Sequence, residues 1–447
     1  METKLPSYVK NILNILEKNH YEAFVVGGSI RNILLGLQPS DFDIATNAKP
    51  EEILNAFREY KTLSVGKAFG TIIILQNEGK VEVTTYRVEG EYYDGRRPSE
   101  VHFSSKLCED LKRRDFTINA LAYNEETDLI DPFQGKEDLK RKIIKSVGNP
   151  KERFGEDHLR IIRAVRFAVE LGFTIEENTY KACKEMGYLL KNISIERTRE
   201  EFFKILLSQR PSYGIELLKE LDLLKYIIPE LIDTIDFDQH NPHHDKDVFY
   251  HSLCVVNHCP PILEIRLAAL LHDIGKPHSF SLDSEGIGHF YGHDKVGQEM
   301  AEKVLSRLKC SNVLIHDVTT LIREHMTAYT SYGDKGLKRL INRVGKDKIF
   351  WLIALQKADK ICSAGNNNIG FLIKRENEIK RIIENKEVIE KSQMAINGNE
   401  LLELGFFQGR IIGEILDYLF ERVIEDPKLN NKESLLELVR RNFSKYL

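Results

Sequence analysis

The sequence predicts an α+β protein that begins with a mixed segment of strands and helices. A short helix is expected over residues 8–18, before the apolar run at 24–26, which is typical of a buried strand. Residues 71–75 and 81–86 are rich in β-branched side chains, and an Asn-Glu-Gly sequence at 77–79 separates them. This arrangement predicts two strands joined by a hairpin turn.

The remainder of the chain is expected to be helical. From about residue 150 onward, apolar side chains recur at helical spacing and β-branched runs are few. A chain of 447 residues is too long for one core, so several domains are expected.

Composition indicates a soluble cytoplasmic protein without a membrane partner. Charged residues make up 30% of the chain and hydrophobic residues 42%. No apolar run approaches the length that spans a bilayer, and residues 1–10 lack the apolar core of a signal peptide. Because the net charge is −4, an RNA partner would need local basic surface, such as residues 112–114, 136–145 or 374–386. Each of these runs can also be a solvated helix face.

The cysteines show no metal-binding or disulfide pattern. Six are present, without Cys-x-x-Cys spacing, and they are expected to be reduced thiols rather than a zinc or disulfide set. They are Cys108, Cys183, Cys254, Cys259, Cys310 and Cys362.

Two short motifs near the first strand predict chemistry. Asp41 and Asp43 stand two residues apart in an extended segment, where alternate side chains share a face. Two carboxylates held together repel each other unless a cation lies between them, and oxygen ligands suit Mg²⁺. Gly27 and Gly28 would let backbone N–H groups approach a triphosphate, and Arg31 can neutralise one of its oxygens. Together the motifs predict a metal-dependent nucleotidyl-transfer site.

The order strand, Gly-Gly, Arg, helix and Asp-x-Asp resembles the nucleotidyltransferase superfamily that includes DNA polymerase beta. Members of that superfamily carry a third carboxylate on a neighbouring strand. Glu82 matches it by type and position, and the alternative is a solvent-facing strand residue. The resemblance therefore implies a catalytic set of Asp41, Asp43 and Glu82.

Four later motifs narrow the family. They are Arg-Arg-Asp-Phe-Thr-Ile-Asn-Ala at 113–120, Asp-Pro-Phe-x-Gly at 131–135, Glu-Asp-x-x-Arg within 156–163, and Asn-Gly at 397–398 followed by Gly405 and Gly409. All four resemble motifs of class II tRNA nucleotidyltransferases and bacterial poly(A) polymerases. The similarity runs from about residue 21 to the end of the chain. One departure is Asn32, where the family usually has Asp; Asn keeps an acceptor oxygen and would still brace the turn.

The resemblance implies both an architecture and an activity. The expected domains are a polymerase-beta-like head at 1–148, a neck with the nucleotide template at 149–234, an HD metal-binding domain at 235–365, and a helical, tRNA-binding tail at 366–447. The implied activity is addition of CCA to the 3′ end of tRNA from CTP and ATP, with Mg²⁺ and a two-metal mechanism. An A-adding enzyme and a poly(A) polymerase remain open, because they share the head motifs.

Hydrogen bonding explains how such an enzyme would select its nucleotides. Asp157 and Arg160 are expected on one helical face, three residues apart, as the template. Cytosine and adenine each present an amino donor beside an acceptor nitrogen, which a carboxylate and a guanidinium satisfy. Uracil and guanine would leave groups unpaired, at a cost of about 1–3 kcal/mol each. The alternative is a surface salt bridge between the two residues.

Other basic residues are assigned by resemblance. Arg114 matches a phosphate- or ribose-binding arginine, and Asp115 is expected to orient it. Arg163 and Arg166 match nucleotide-contacting positions, although helix phase turns Arg166 away from Asp157 and towards the triphosphate or the head domain. The polar, glycine-punctuated stretch at 89–98 resembles the family's flexible loop, which argues against an enzyme that adds only C.

The order His251, His272-Asp273 and Asp359 resembles the HD metal-dependent phosphohydrolases. Such a site suits Mn²⁺, Ni²⁺ or Co²⁺, or less closely Mg²⁺. His293 and His325 are candidate ligands for a second ion. Three functions stay open: an active phosphohydrolase on 2′,3′-cyclic or 3′-phosphate ends of tRNA, a retained fold that supports tRNA, and a phosphohydrolase whose head only docks RNA.

Overall fold

The structure of the protein is a computed structural model that describes residues 5–89, 101–240, 247–363, 367–385 and 387–446. The chain divides into two compact units, residues 1–229 and 230–447. The expected flexible loop at 89–98 lies almost wholly outside the described residues. The four predicted domain boundaries remain a prediction.

A mixed sheet forms the first part of unit 1. The described strands of this unit are β1 (Ala23–Val26), β2 (Phe42–Thr46), β3 (Lys61–Gly66), β4 (Thr71–Gln76), β5 (Gly79–Thr85), β6 (Arg87–Glu89), β7 (Val101–Phe103), β8 (Ala122–Asn124), β9 (Asp128–Ile130), β10 (Ile143–Ile144) and β11 (Thr174–Ile175). Seven of them form one sheet in the order β3-β4-β5-β2-β1-β8-β9. Within that sheet, β2 and β5 are parallel and the other neighbours are antiparallel. The α+β prediction is confirmed.

Helices pack against strands of this sheet, and from residue 150 onward the described part of unit 1 is mainly helical. Those of unit 1 are α1 (Ser7–Lys18), α2 (Gly28–Leu34), α3 (Pro50–Ala56), α4 (Leu107–Lys112), α5 (Gly135–Arg141), α6 (Pro150–Glu156), α7 (Leu159–Leu171), α8 (Glu177–Met186), α9 (Ile195–Leu207) and α10 (Pro211–Glu220). The predicted hairpin is β4–β5, except that Gly79 begins the second strand instead of lying in the turn.

Helix α7 carries much of the site described below. Its apolar face is buried, and Phe167 packs edge-on against Phe116 at 5.7 Å between ring centroids. Gly172 ends the helix with a φ of +68°, a left-handed conformation that glycine adopts without strain. The preceding helix, α6, begins at Pro150, where Asn149 accepts a hydrogen bond from the backbone N–H of Lys151.

Unit 2 is helical in its described part, apart from the two-residue strands β12 (Ser281–Leu282) and β13 (Gly288–His289). Its helices are α11 (Val248–His258), α12 (Leu263–Leu271), α13 (His293–Arg307), α14 (Asn312–Glu324), α15 (Asp334–Val344), α16 (Ile349–Cys362), α17 (Gly370–Glu384), α18 (Gly398–Glu403), α19 (Arg410–Glu425) and α20 (Lys432–Phe443). Helix α11 packs against α12 and α16. None of the described helices is both long and apolar enough to cross a membrane.

The expectation of six reduced thiols is wrong for one pair. Cys254 on α11 and Cys362 on α16 form a disulfide. Their sequence separation of 108 residues leaves no local pattern to read, because the packing of two distant helices brings them together. The other four cysteines are thiols.

Candidate active site and a second polar centre

The two carboxylates of the Asp-x-Asp motif lie at the start of β2 and line one cavity of about 670 Å³ in unit 1. Ser29, in the first turn of α2, fixes this segment: its hydroxyl donates to the carbonyl oxygen of Asp41 at 3.2 Å. The backbone N–H of Asp43 donates to the same hydroxyl at 3.4 Å. Among the predicted site residues of unit 1, the cavity is lined by Gly27, Gly28, Arg31, Asp41, Asp43, Arg114, Asp157, Arg160, Arg163 and Arg166.

The first glycine of the Gly-Gly turn is required by both backbone and space. Gly27 has a φ of +70°, which L side chains rarely adopt. A Cβ at this position would lie 2.8 Å from Nη1 of Arg114 and 4.0 Å from Oδ2 of Asp43. The turn therefore leaves room for a guanidinium beside the carboxylates.

Glu82 lies beside Asp43 on the neighbouring parallel strand, since the register of β2 and β5 pairs these two residues. The Glu82 side chain is 40% exposed and lies 3.5 Å from Nζ of Lys80. Burial raises the pKa of Asp43 to about 6; Arg114 opposes this, and the Glu82 and Asp41 carboxylates add to it. The position thus disfavours a lone carboxylate charge and would be relieved by a cation.

The Arg-Arg-Asp motif is paired differently from the sequence expectation. Asp115 does not orient Arg114; it accepts from Nη2 of Arg163 at 2.6 Å. Arg114 instead donates to Oδ2 of Asp110, a buried residue of α4, at 3.2 Å. Arg163 holds the pKa of the buried Asp115 carboxyl well below its usual range, against the effect of burial.

A chain of hydrogen bonds positions Arg31. Its Nη1 donates to Oδ1 of Asn119 at 2.7 Å, and the Asn119 amide donates to Oδ1 of Asp115 at 3.0 Å. Its Nε donates to Oδ1 of Asn32 at 3.1 Å, so the residue that departs from the family pattern acts as an acceptor. The observed acceptor role of the Asn32 side chain is therefore towards Arg31. Sequence reasoning missed the role of Asn119, although it stands within the quoted motif.

The predicted template residues line the same cavity, but not on one helical face. Asp157 lies between α6 and α7 with an extended backbone, φ −130° and ψ 104°, so the expectation of a continuous helix was wrong. Arg160 is buried and donates to Oε2 of Glu156 at 2.9 Å and to the carbonyl oxygen of Arg113 at 2.6 Å. Nη2 of Arg197 lies 3.4 Å from Oδ2 of Asp157. Arg197, which the motifs did not indicate, therefore belongs to this site.

Positive charge is concentrated around one aromatic ring. The guanidinium carbons of Arg166, Arg31 and Arg163 lie 4.1, 5.0 and 5.1 Å from the centroid of the Phe167 ring. Nε of Arg166 lies 2.7 Å from Oε2 of the buried Glu201. Burial lowers the pKa of Arg31, and the neighbouring Arg166 contributes to this. Several cations facing one cavity suit a polyanionic ligand such as a triphosphate.

Comparison with known proteins identifies the family of the chain. Residues 23–145 match the family described as "Poly A polymerase head domain", residues 172–234 an "RNA and SrmB- binding site of polymerase A", and residues 290–439 "tRNA nucleotidyltransferase domain 2". A CCA-adding enzyme of Ligilactobacillus salivarius is 33% identical over 445 residues, covering 97% of this chain and 96% of that protein. The chain belongs to the class II CCA-adding enzyme and poly(A) polymerase family. It is a nucleotidyltransferase of that family.

Two further matches also cover nearly the whole chain. A CCA-adding enzyme of Streptococcus thermophilus is 33% identical over 441 residues, covering 98% of both chains. The crystal structure of a Bacillus stearothermophilus CCA-adding enzyme in complex with CTP has a TM-score of 0.74 and 27% identity, covering 98% of this chain and 97% of that one. The predicted architecture of a polymerase-like head and a helical body is confirmed.

A second polar centre lies in unit 2, where the four predicted HD residues meet. Nε2 of His251 lies 3.0 Å from Oδ1 of Asp359, and Nε2 of His272 lies 3.3 Å from Oδ2 of Asp273. Nδ1 of His272 donates to the carbonyl oxygen of Ala269 at 2.9 Å, so Nε2 is the nitrogen that faces the carboxylates. Against the effect of burial, the Asp273 and Asp359 carboxylates raise the pKa of His272. A buried nitrogen that faces two carboxylates fits a site where a metal cation takes the place of the proton.

The two further histidines complete the centre. Nδ1 of His293 and Nδ1 of His325 donate to the carbonyl oxygens of Phe290 and Ile322. Their Nε2 atoms lie 3.3 Å apart, and Nε2 of His293 lies 3.4 Å from Oδ1 of Asp273. Burial lowers the pKa of His325 to about 3, so the ring is neutral and its lone pair is available. Asp273 therefore has one oxygen towards each histidine pair, and the donor set fits two divalent ions.

Two arginines of the basic run at 374–386 make contacts within unit 2. Arg375 is buried and donates to the carbonyl oxygens of Thr327 and Thr330 at 3.0 and 2.5 Å. Arg381 donates to Oδ2 of Asp334 at 2.6 Å. Arg375 is therefore not on a free helix face, whereas the Arg381 side chain is exposed and its ion pair lies at the surface.

Proposed function

We propose that the protein adds CCA to the 3′ end of tRNA, using CTP and ATP as substrates. The observation that carries the proposal is the cavity in which the Asp41 and Asp43 carboxylates face a concentration of arginines, with Glu82 paired beside Asp43 on the neighbouring strand. Full-length relatives named CCA-adding enzymes, and a related structure in complex with CTP, support it.

The residues divide into two roles. Asp41, Asp43 and Glu82 would hold Mg²⁺, which when bound supplies charge stabilisation for the attacking and leaving oxygens. The backbone at Gly28 and the guanidinium of Arg31 would bind the triphosphate, and the Asn119 hydrogen bond fixes the orientation of that guanidinium. This arrangement orients the α-phosphate for attack by the tRNA 3′-hydroxyl.

Product analysis tests the proposal. The protein should extend a tRNA lacking CCA, and tRNAs ending in C or CC, by three, two and one nucleotides when CTP and ATP are supplied. Sizing the products by gel separates the outcomes. A-only extension of the CC-ended tRNA would favour an A-adding enzyme, and a long A tail would favour a poly(A) polymerase; either result would overturn the proposal.

The template residues should control which nucleotides are used. Asp157→Ala and Arg160→Ala should each reduce CTP and ATP use and admit UTP, because unpaired groups in the site no longer penalise the wrong base. From the loss of one to two such penalties we expect selectivity against UTP to fall about tenfold or more. Relative kcat/KM for the four nucleotides measures this. Glu200→Ala, at an exposed residue of α9, is the control, and unchanged selectivity in both template variants would refute the assignment.

We further propose that the centre in unit 2 is a divalent-metal phosphohydrolase site acting on 3′-phosphate or 2′,3′-cyclic phosphate ends of tRNA. The Nε2 atoms of four histidines lie within 3.9 Å of the Asp273 carboxylate, which favours it over a support role. When bound, Mn²⁺, Ni²⁺ or Co²⁺ would polarise the phosphate and activate water. Lys276, whose Nζ lies 2.7 Å from Oδ2 of Asp273, would restrain that shared carboxylate.

The two activities should be separable. A His272→Ala/Asp273→Ala protein should lose phosphohydrolase activity and leave CMP and AMP addition largely unchanged, because the two centres share no ligand. Both activities would be assayed with saturating Mg²⁺ and then with added Mn²⁺ or Ni²⁺. His316→Ala, at an exposed histidine of α14, is the control. A folded double variant that no longer adds nucleotides would show that these histidines serve tRNA positioning.

A further inference from the structure

The disulfide of unit 2 lies one helical turn from two ligands of the proposed metal centre. His251 precedes Cys254 by three residues on α11, and Asp359 precedes Cys362 by three residues on α16. Residues three apart on a helix are neighbours. The disulfide therefore joins the same two helices as the 3.0 Å contact between His251 and Asp359.

The position of Cys362 lets the disulfide restrain the last turn of α16. This residue is the last of α16, so Asp359 lies in the final turn of that helix. Final turns fray because their last carbonyl groups lack intrahelical partners. A covalent bond from Cys362 to α11 holds this turn closed and keeps the Asp359 carboxylate in place.

The two sulfur atoms of the disulfide differ in accessibility, and this difference decides which of them an external thiol can attack. Cys362 is buried, whereas Cys254 is partly exposed. Nδ1 of His258, an exposed residue, lies 2.9 Å from the carbonyl oxygen of Cys254 and 3.4 Å from Sγ of Cys362. The carbonyl contact places the proton on Nδ1, so this N–H can also donate to the sulfur of Cys362.

We propose that Cys254 and Cys362 form a reversible dithiol–disulfide site that controls the order of the last turn of α16 and, through Asp359, the metal affinity of the neighbouring centre. The second part rests on the proposed metal site. A thiolate of a dithiol reductant attacks Sγ of Cys254, and the electron pair of the broken S–S bond goes to Sγ of Cys362, which then takes up a proton. The reductant's second thiol displaces Cys254 and becomes a cyclic disulfide, so two electrons and two protons reach the protein.

The adjacent cysteine does not compete for this chemistry. Burial raises the pKa of Cys259 to about 12, which keeps it as an unreactive thiol. The test uses the full chain, equilibrated with reduced or oxidised dithiothreitol and analysed by thiol alkylation and peptide mass. The oxidised sample should contain a peptide pair linked through Cys254 and Cys362, and reduction should free both thiols.

Hydrogen exchange and metal titration complete the test. On reduction, the backbone N–H groups of residues 359–362 should exchange roughly tenfold faster, and the Kd for Mn²⁺ alone should rise about tenfold, as for loss of an outer-shell constraint. Cys254→Ser should give the reduced values under both conditions, and Cys310→Ser should respond like the unchanged protein. If exchange quickens but Mn²⁺ binds in neither state, the phosphohydrolase proposal fails while the redox site stands. Unchanged exchange, absence of the linked peptides, or a Zn²⁺ ion that shields both thiols from alkylation would overturn the redox site.

Discussion

Replacing Asp41 and Asp43 by Asn should abolish nucleotide addition while the protein stays folded. Loss of the carboxylate ligands removes several kcal/mol of charge stabilisation from the transition state, so we expect a decrease in kcat of about a thousandfold or more. Single-turnover addition of CMP to a tRNA lacking CCA measures it. Asp128→Asn, at an exposed residue of β9, is the matched control. If the double variant kept substantial activity, the head would be a docking module and not the catalytic unit.

The single Asp43→Asn variant should also be more stable than the unchanged protein when Mg²⁺ is absent. In the folded protein the pKa of Asp43 is raised to about 6, so folding is penalised once this carboxyl ionises. The penalty is absent at low pH, grows as the pH rises from about 4 to about 6 and is constant above that. Because Asp43 is exposed to solvent at the start of β2, water screens much of this penalty, and we expect a gain of only about 1 kcal/mol at neutral pH. Urea unfolding of both proteins at pH 4 and pH 7.5 tests this. A difference in the free energy of unfolding between variant and unchanged protein that is the same at both pH values would contradict it.

The largest loss of stability is expected for Asp115→Ala. This carboxylate accepts from Arg163 and Asn119 and from the backbone N–H of Phe116 at 2.8 Å. Its removal leaves a largely buried guanidinium without its main partner and frees the amide that positions Arg31. We expect a decrease in the free energy of unfolding of about 3–5 kcal/mol.

Urea unfolding and nucleotide binding measure the two consequences separately. Asp115→Asn is the informative second variant, because it keeps the shape and an acceptor while removing the charge, and it should cost less. In the unchanged protein, the stabilisation should persist at neutral pH and be lost only as the pH falls below the ordinary range for aspartate, since the pKa of Asp115 is lowered. A small effect of Asp115→Ala would show that Arg163 finds another partner, for which Glu201, 4.0 Å from its Nη1, is the candidate.

Site residues could be predicted from the sequence where the residue and the neighbours that determine its position lie in the same short segment. The Gly-Gly turn and the Asp-x-Asp segment follow from strand periodicity and turn chemistry, which are local. The partners Asp110, Glu201 and Arg197 were missed because each is an ordinary helix residue until packing brings its helix to the cavity. The break at Asp157 was missed for a related reason: three-residue spacing fits a helix whether or not the helix continues.

The same distinction applies to unit 2. His272 and Asp273 were recognisable as adjacent residues in a motif, and the structure places them beside His251 and Asp359. The disulfide was not predictable, because nothing near either cysteine signals the other. Likewise, the orientation of His272, His293 and His325 depends on the backbone carbonyl three residues earlier in the chain, which no side-chain pattern records.

The parallel pairing of β2 with β5 has a consequence for how the protein is made. Asp43 leaves the ribosome well before Glu82, and the two strands become neighbours only after β3 and β4 have been synthesised and the β4–β5 hairpin has docked. Antiparallel hairpins close quickly, whereas parallel pairing across a long crossover is slow. The three carboxylates proposed to hold Mg²⁺ therefore cannot come together until β5 has been synthesised and has paired with β2.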